Sequence, residues 1–212
     1  MRTYHKIETL FKRDSETKRL IVGNYANPTI EFLKDNTWQF TEKVDGTNIR
    51  VYWDGHCVTF GGRTEKAEIP LHLMKKLEEL FGGEINAQLF EQKFGETPVI
   101  LFGEGYGPKI QKGQEYRNDV EFILFDVMIG DNFQPRESME DIAKYFLIDA
   151  VPILLEGTLN DGLEYVLNNR ESKIAINGAK LEGLVGRPKV ELLDRCGKRI
   201  IVKIKYKDFK EI

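Results

Sequence analysis

A chain of 212 residues is long enough for one large domain or two small ones, and 41% hydrophobic with 31% charged residues is the composition of a globular protein with a real core. No apolar run approaches the ~18 residues of a membrane span, and the polar start Met1-Arg2-Thr3-Tyr4-His5-Lys6 has no apolar stretch behind it, which excludes a signal peptide. A net charge of −3 excludes coating of nucleic acid by bulk charge, so a nucleic-acid binder of this composition needs a local basic patch or a partner.

The chain shows no internal repeat and no low-complexity linker. Trp38 to Trp53 reads as a strand, a tight turn at Asp45-Gly46, and a second strand. Thr47, Ile49, Val51 and Trp53 share one face of that second strand, and Asn48, Arg50 and Tyr52 share the other. After the Asp54-Gly55 turn, Cys57 to Gly61 continues as a strand. Pro70 to Phe81 has Leu73, Met74, Leu77, Leu80 and Phe81 at helical spacing, and Glu84 to Phe94 forms another helix closed by Gly95. Val99 to Phe102 is a short apolar strand running into Gly103-Glu104-Gly105, and Glu121 to Ile129 is a strand rich in β-formers. Ser138-Met139-Glu140-Asp141 reads as a capping box opening a helix through Phe146, and Asp161 to Asn169 is a shorter helix. Leu181 to Val185 and Lys198 to Tyr206 finish as strands. Strands outnumber helices and hairpin turns recur, an α+β pattern with antiparallel sheets rather than βαβ alternation.

Cys57 and Cys196 give no zinc spacing and no disulfide framework, so a reducing cytoplasm is expected, with both thiols in ordinary packing.

Lys43 stands between an apparent strand and an Asp-Gly turn, where a side chain is held yet reachable. An amine is a nucleophile only when neutral, which burial or nearby cations favour. The far end of the chain offers cations: in Ile200-Ile201-Val202-Lys203-Ile204-Lys205-Tyr206-Lys207 the lysines alternate with apolar residues, so Lys203, Lys205 and Lys207 share one strand face. Such a strand is ordinarily an exposed edge, and it is also what neutralising a triphosphate requires. Two acids follow the same logic. Glu104 sits between Gly103 and Gly105, which let backbone or ligand approach closely. Glu182 lies within the apolar run Leu181-Glu182-Gly183-Leu184-Val185, where a carboxylate must be paired, hydrogen-bonded or metal-bound. Leu155-Glu156-Gly157 has the same look but precedes a helix, and carries less weight.

These pieces in order resemble the covalent nucleotidyltransferase superfamily of polynucleotide ligases and capping enzymes. The elements are Lys43-Val44-Asp45-Gly46, Phe60-Gly61-Gly62-Arg63-Thr64, Leu101-Phe102-Gly103-Glu104-Gly105, Phe122-Ile123-Leu124-Phe125-Asp126-Val127, Leu181-Glu182-Gly183-Leu184-Val185 and Ile201-Val202-Lys203-Ile204-Lys205. Within that superfamily, Asn48 in place of the arginine of DNA ligases and capping enzymes resembles the ATP-dependent RNA ligase 2 type, as does Gly105-Tyr106-Gly107-Pro108-Lys109-Ile110-Gln111. The alternatives are a DNA ligase, a capping-type guanylyltransferase, or a fold that binds nucleotide or RNA without chemistry.

The resemblance implies an α+β, antiparallel-sheet, ATP-grasp-like adenylylation domain with peripheral helices, expected to span 1–212; such ligases usually carry an appended C-terminal OB-fold or helical module, and this sequence is expected to depart from them in lacking one. It implies that Lys43 takes AMP from ATP, that AMP passes to an RNA 5′-phosphate, and that a 3′-hydroxyl then displaces it. Lys203 and Lys205 would stabilise the α-phosphate. Asp45, Glu104 and Glu182 would hold Mg2+ (or Mn2+), partly through water. Phe125, rather than Phe122 on the opposite strand face, would stack on adenine, Glu42 would read the adenine amino group, and Asn48 and Arg63 would contact the AMP ribose or phosphate. Glu104 and Glu182 thus count toward both the nucleotide and the metal. The implied partners are RNA ends, nicked duplex or single strand, with an accessory protein or domain gripping the nucleic acid, and no membrane.

Overall fold

A computed structural model describes residues 2–111 and 113–209; Met1, Lys112 and residues 210–212 lie outside the described residues. In chain order the elements are β1 (Glu8–Thr9), β2 (Phe11–Arg13), β3 (Leu20–Tyr25), α1 (Pro28–Phe32), β4 (Trp38–Lys43), β5 (Thr47–Trp53), β6 (Val58–Gly61), α2 (Leu71–Phe81) and α3 (Gly83–Phe94). They continue as β7 (Val99–Tyr106), β8 (Glu121–Ile129), β9 (Asn132–Phe133), α4 (Arg136–Tyr145), β10 (Asp149–Ala150), β11 (Ile153–Gly157), α5 (Leu159–Asn168), β12 (Gly183–Pro188) and β13 (Val202–Lys205). The chain divides into two units, Met1–Tyr4 with Asp45–Val151 and His5–Val44 with Pro152–Ile212.

The first unit is a sheet of order β10-β8-β7-β5-β6, with β9 on β8. All its pairings are antiparallel except β10 with β8. The alternation read in β5 is the physical basis of its core. Ile49, Val51 and Trp53 are buried against Leu73, Leu77 and Phe81 of α2, Phe90 of α3, and Met139 and Ile142 of α4. On the opposite face Tyr52, Phe102, Phe125 and Met128 gather with Tyr4 and Phe133. Trp53 stacks on Phe90 and donates its indole N–H to the Gly95 carbonyl at 2.9 Å, so its one polar atom is satisfied where it is buried.

The second unit is a sheet of order β1-β13-β12-β4-β11, antiparallel except β1 with β13, plus the hairpin β2-β3. Its core takes Trp38 and Phe40 from β4, Leu184 from β12, and Val202 and Ile204 from β13, covered by Leu159 and Val166 of α5. Full burial of each such aromatic contributes roughly 1.5–3 kcal/mol.

Several expectations are corrected. The strands flanking Asp45-Gly46 do not form a hairpin: β4 pairs with β12 and β11, whereas β5 pairs with β6 and β7. Short local turns suggest pairing, but here hydrogen bonds to distant segments win. The helix expected from Ser138 begins at Arg136 with Pro135 at its cap, and Ser138 lies inside it without a capping bond. The capping box belongs instead to Thr158 and Asp161, which open α5 two residues earlier than expected. The terminal strand is only Val202–Lys205, because Tyr206–Phe209 winds into a 3-10 helix. Lys207 therefore leaves the alternation that Lys203 and Lys205 keep. Nor is β13 an edge: it lies between β1 and β12. Cys57 and Cys196 are both exposed free thiols rather than packed ones.

Candidate active site

In the second unit three strands meet side by side at one level. Gly183 of β12 pairs with Lys43 of β4 on one flank and with Lys205 of β13 on the other. Lys43 and Lys205 therefore project from the same sheet face, opposite the core face that buries Phe40 and Ile204. Glu182, the residue before β12, sits at the end of this row. One of its carboxylate oxygens accepts from Lys43 Nζ at 2.7 Å and the other accepts from Lys205 Nζ at 2.7 Å. All three side chains are largely but not fully covered, at 22%, 12% and 19% exposure for Lys43, Glu182 and Lys205, so a ligand could still reach them. Glu182 thus finds the pairing that its apolar neighbourhood demands. The glycine between is obligatory: a Cβ on Gly183 would collide with the Ile204 carbonyl. Lys203 projects two residues up β13 and is half-buried.

Glu42 precedes Lys43 and points the other way, into the core face, with 2% exposure. One of its oxygens accepts from the Ser172 hydroxyl, and the other accepts from the Lys173 backbone N–H at 2.8 Å. Burial pushes its carboxyl above the usual range, with the Ser172 and Lys173 hydrogen bonds opposing that shift. Ser172 was not singled out from the sequence, and nothing local marks it: it lies 130 residues from the carboxylate it bonds. Glu156, which resembled Glu182 in sequence, is tied to Lys189 at 2.7 Å and Gln39 at 2.8 Å on the surface.

The first unit carries the remaining candidates. Asn48 of β5 is directly opposite Glu104 of β7, on the face shared by Phe102 and Tyr52. The Asn48 side-chain oxygen is buried and accepts no hydrogen bond among the described residues, so it is an acceptor held ready for a donor. Gly46 makes this close approach possible, since a Cβ there would collide with the Gly105 carbonyl. Asp45 is half-buried, and its backbone N–H donates to the Tyr116 hydroxyl at 3.3 Å. Phe125 falls at a register shift in the β7–β8 ladder, half-buried and edge-on to Tyr4 at 5.2 Å, while Phe122 is fully buried against Phe81. Arg63 is exposed just past β6. Its loop is held by Arg50, a buried arginine whose Nε–H donates to the Gly62 carbonyl at 2.8 Å and whose Nη1 pairs with Glu65 at 3.2 Å. Strand alternation puts Arg50 on the face it occupies, but a charged residue reads as solvated, and its burial comes only from the tertiary structure.

Among the described residues no group of three His, Cys, Asp or Glu side chains comes together as a metal cage. Mg2+ does not require one, since it keeps several waters and takes one or two carboxylates plus substrate phosphates. Asp45 and Glu104 in the first unit and Glu182 in the second each offer the hard oxygen donors that such an ion takes.

The model of the family described as RNA ligase matches residues 36–205. The chain belongs to the RNA ligase family. The match runs from just before β4 to the end of β13, so it encloses every candidate side chain. No curated protein sequence matches the chain. Among solved structures it resembles Naegleria gruberi RNA ligase: a mutant with AMP and Mn (TM-score 0.64, 21% identity, 87% of this chain and 54% of that one) and a mutant with ATP and Mn (TM-score 0.66, 22% identity, 97% and 62%). A form with PPi is similar at TM-score 0.63 and 24% identity, over 87% and 53%. At these identities the likeness establishes the fold, α+β with antiparallel sheets. The chain spans between half and two thirds of the length of these solved ligases.

Proposed function

We propose that this member of the RNA ligase family is an ATP-dependent RNA ligase whose two units act as one nucleotidyltransferase domain, with Lys43 as the adenylylated nucleophile. The observation that carries the reading is the single carboxylate of Glu182 spanning Lys43 and Lys205 at 2.7 Å each. It gathers a nucleophile, a phosphate-binding cation and an acid into one row, the grouping that phosphoryl chemistry needs.

In the first step Lys43 Nζ attacks the α-phosphorus of ATP, an N–P bond forms, the bond to pyrophosphate breaks, and the proton of the attacking amine passes to solvent. The ammonium held by Glu182 is not nucleophilic, so Lys43 must leave that pair before it attacks. Lys205 and Lys203 remain to meet the negative oxygens of the α-phosphate. A Mg2+ or Mn2+ ion would place positive charge on the phosphate oxygens, and Asp45, Glu104 and Glu182 are the carboxylates that would hold it. Asn48, with its unsatisfied acceptor, and Arg63 would engage the ribose or phosphate of AMP, Phe125 would stack on adenine, and Glu42 would read its amino group. An RNA 5′-phosphate then takes the adenylyl group and frees Lys43. A 3′-hydroxyl finally attacks that 5′-phosphorus, forming the phosphodiester and releasing AMP.

The substrate is RNA ends, in nicked duplex or single strand, with an accessory protein or domain assisting. The setting is the cytoplasm; among the described residues no helix is long and apolar enough to cross a membrane.

Incubation with ATP labelled at the α-phosphate gives covalently labelled protein, and Lys43→Ala abolishes the label. Labelling that survives Lys43→Ala removes the nucleophile assigned here, and labelling by GTP alone overturns the ligase reading. Nicked duplexes that differ only in a ribose or deoxyribose 3′-hydroxyl strand test the RNA assignment, with equal sealing counting against it.

A further inference from the structure

The second unit contains a groove of about 500 Å³ beside β13 of which the adenylylation chemistry uses only Lys203 and Lys205. Its cations are Lys6, Lys12, Arg13, Lys203, Lys205 and Lys207. Its acids are Glu8 and Asp208, and Arg13 already answers Asp208 at 2.6 Å. Among the described residues, six cations against two acids is a strong local excess in a chain whose net charge is −3. This is the local patch that a binder of nucleic acid with an acidic composition requires. The patch was hidden in sequence because Lys6, Lys12 and Arg13 are brought beside Lys203 only by the parallel pairing of β1 with β13.

The position of the groove gives it a direction. Lys205 lines it and also shares the Glu182 carboxylate with Lys43, so one lysine links the groove to the nucleophile. From there the lining runs to exposed Lys6, Lys12 and Arg13 on the N-terminal strands and to exposed Lys207 on the terminal 3-10 helix. Among the described residues no aromatic ring lines it, which removes the usual platform for stacking bases. Lysines dominate over arginine, giving point charges rather than bidentate forks. Six cations also exceed what the β- and γ-phosphates of one ATP would need.

We infer that this groove binds the phosphodiester backbone of the RNA strand, independently of its base sequence, and leads its end toward Lys43. The inference rests on the ligase reading for what happens at that end, and it concerns phosphate contacts alone, which fix register without reading sequence.

The test uses the full chain and the triple variant Lys6→Ala, Lys12→Ala, Lys207→Ala, all surface positions outside the adenylylation row. Binding of a short 5′-phosphorylated RNA of mixed sequence is followed by fluorescence anisotropy over a range of salt. Circular dichroism checks that the fold is kept. Each lost single-strand phosphate contact removes ~0.7 from the slope of log affinity against log salt, so three lost contacts flatten it by about 2. RNA affinity at low salt falls at least about tenfold, while labelling of Lys43 by ATP and its KM for ATP stay as in the parent chain. Unchanged RNA affinity and slope overturn the inference. A raised KM for ATP with unchanged RNA binding also overturns it and assigns the groove to the triphosphate tail. If the parent chain takes no label from ATP, the ligase reading falls while the groove is still judged by the RNA titration.

Discussion

Glu182 holds two ammonium groups with one carboxylate, and this fixes what its removal should do. Glu182→Gln keeps the shape and loses the charge that organises Lys43 and Lys205, so transfer of AMP from ATP should slow by about 100-fold or more in single-turnover labelling. Lys205→Ala should cost a similar factor. Because the two residues work as one unit, the double variant should be scarcely slower than either single one; additive losses would show that they act separately. Glu42 presents a different case. Its carboxyl is raised above the ordinary value of 4.5, mainly by burial, so the folded state binds its proton more tightly than the unfolded one. The stability this group contributes is therefore full below about pH 4.5 and is lost as pH rises through the higher folded-state value. Glu42→Gln should flatten that decline in a series of thermal midpoints against pH. Parallel curves for the two proteins would show that Glu42 does not control it.

At the scale of the element, the active row depends on the close approach of the Gly183 backbone to the Ile204 carbonyl of β13. Gly183 permits this, and Gly183→Ala sets a methyl group against the Ile204 carbonyl. Over-packing of this kind costs about 1–3 kcal/mol, to be read from denaturant midpoints. It should also push Lys43 and Lys205 apart, lowering ATP labelling under conditions where the variant is still folded. Normal labelling by folded Gly183→Ala would mean that the strand spacing is not critical. The same strand shows why Glu182 and Glu156 differ despite similar neighbours. Glu182 ends a strand flanked on both sides by lysine-bearing strands, whereas Glu156 lies on β11 at the sheet edge, beside Gln39 and Lys189.

For the whole molecule, the decisive fact is that two sheets bury two separate clusters, one around Ile49, Trp53 and Phe90 and one around Trp38, Phe40 and Ile204. Each sheet has a core of its own, so each should matter to stability. Phe90→Ala and Phe40→Ala should each destabilise by about 3–5 kcal/mol in denaturant unfolding followed by circular dichroism. A loss below about 1 kcal/mol for either would show that its cluster can collapse around the missing ring. Charge also belongs to this scale. A net −3 describes the total, but binding responds to where the charges lie, and the groove beside β13 carries the opposite sign from the chain as a whole.

Periodicity within single segments was enough to settle β5, α2, α3 and β8, because which face a side chain takes depends on its own neighbours in the chain. Ile49, Val51 and Trp53 are buried where that alternation puts them, and the ordered motifs from Lys43 to Lys205 marked the family. What the sequence could not contain is pairing between distant strands. That Lys43 and Lys205 flank Gly183, that β4 and β5 part into different sheets, and that Ser172 seats against Glu42 all depend on pairing between segments that are not neighbours in the chain. Register is chosen by the burial of Trp38, Phe40, Leu184, Val202 and Ile204 together, a property of the packed sheet that no one of these segments carries alone.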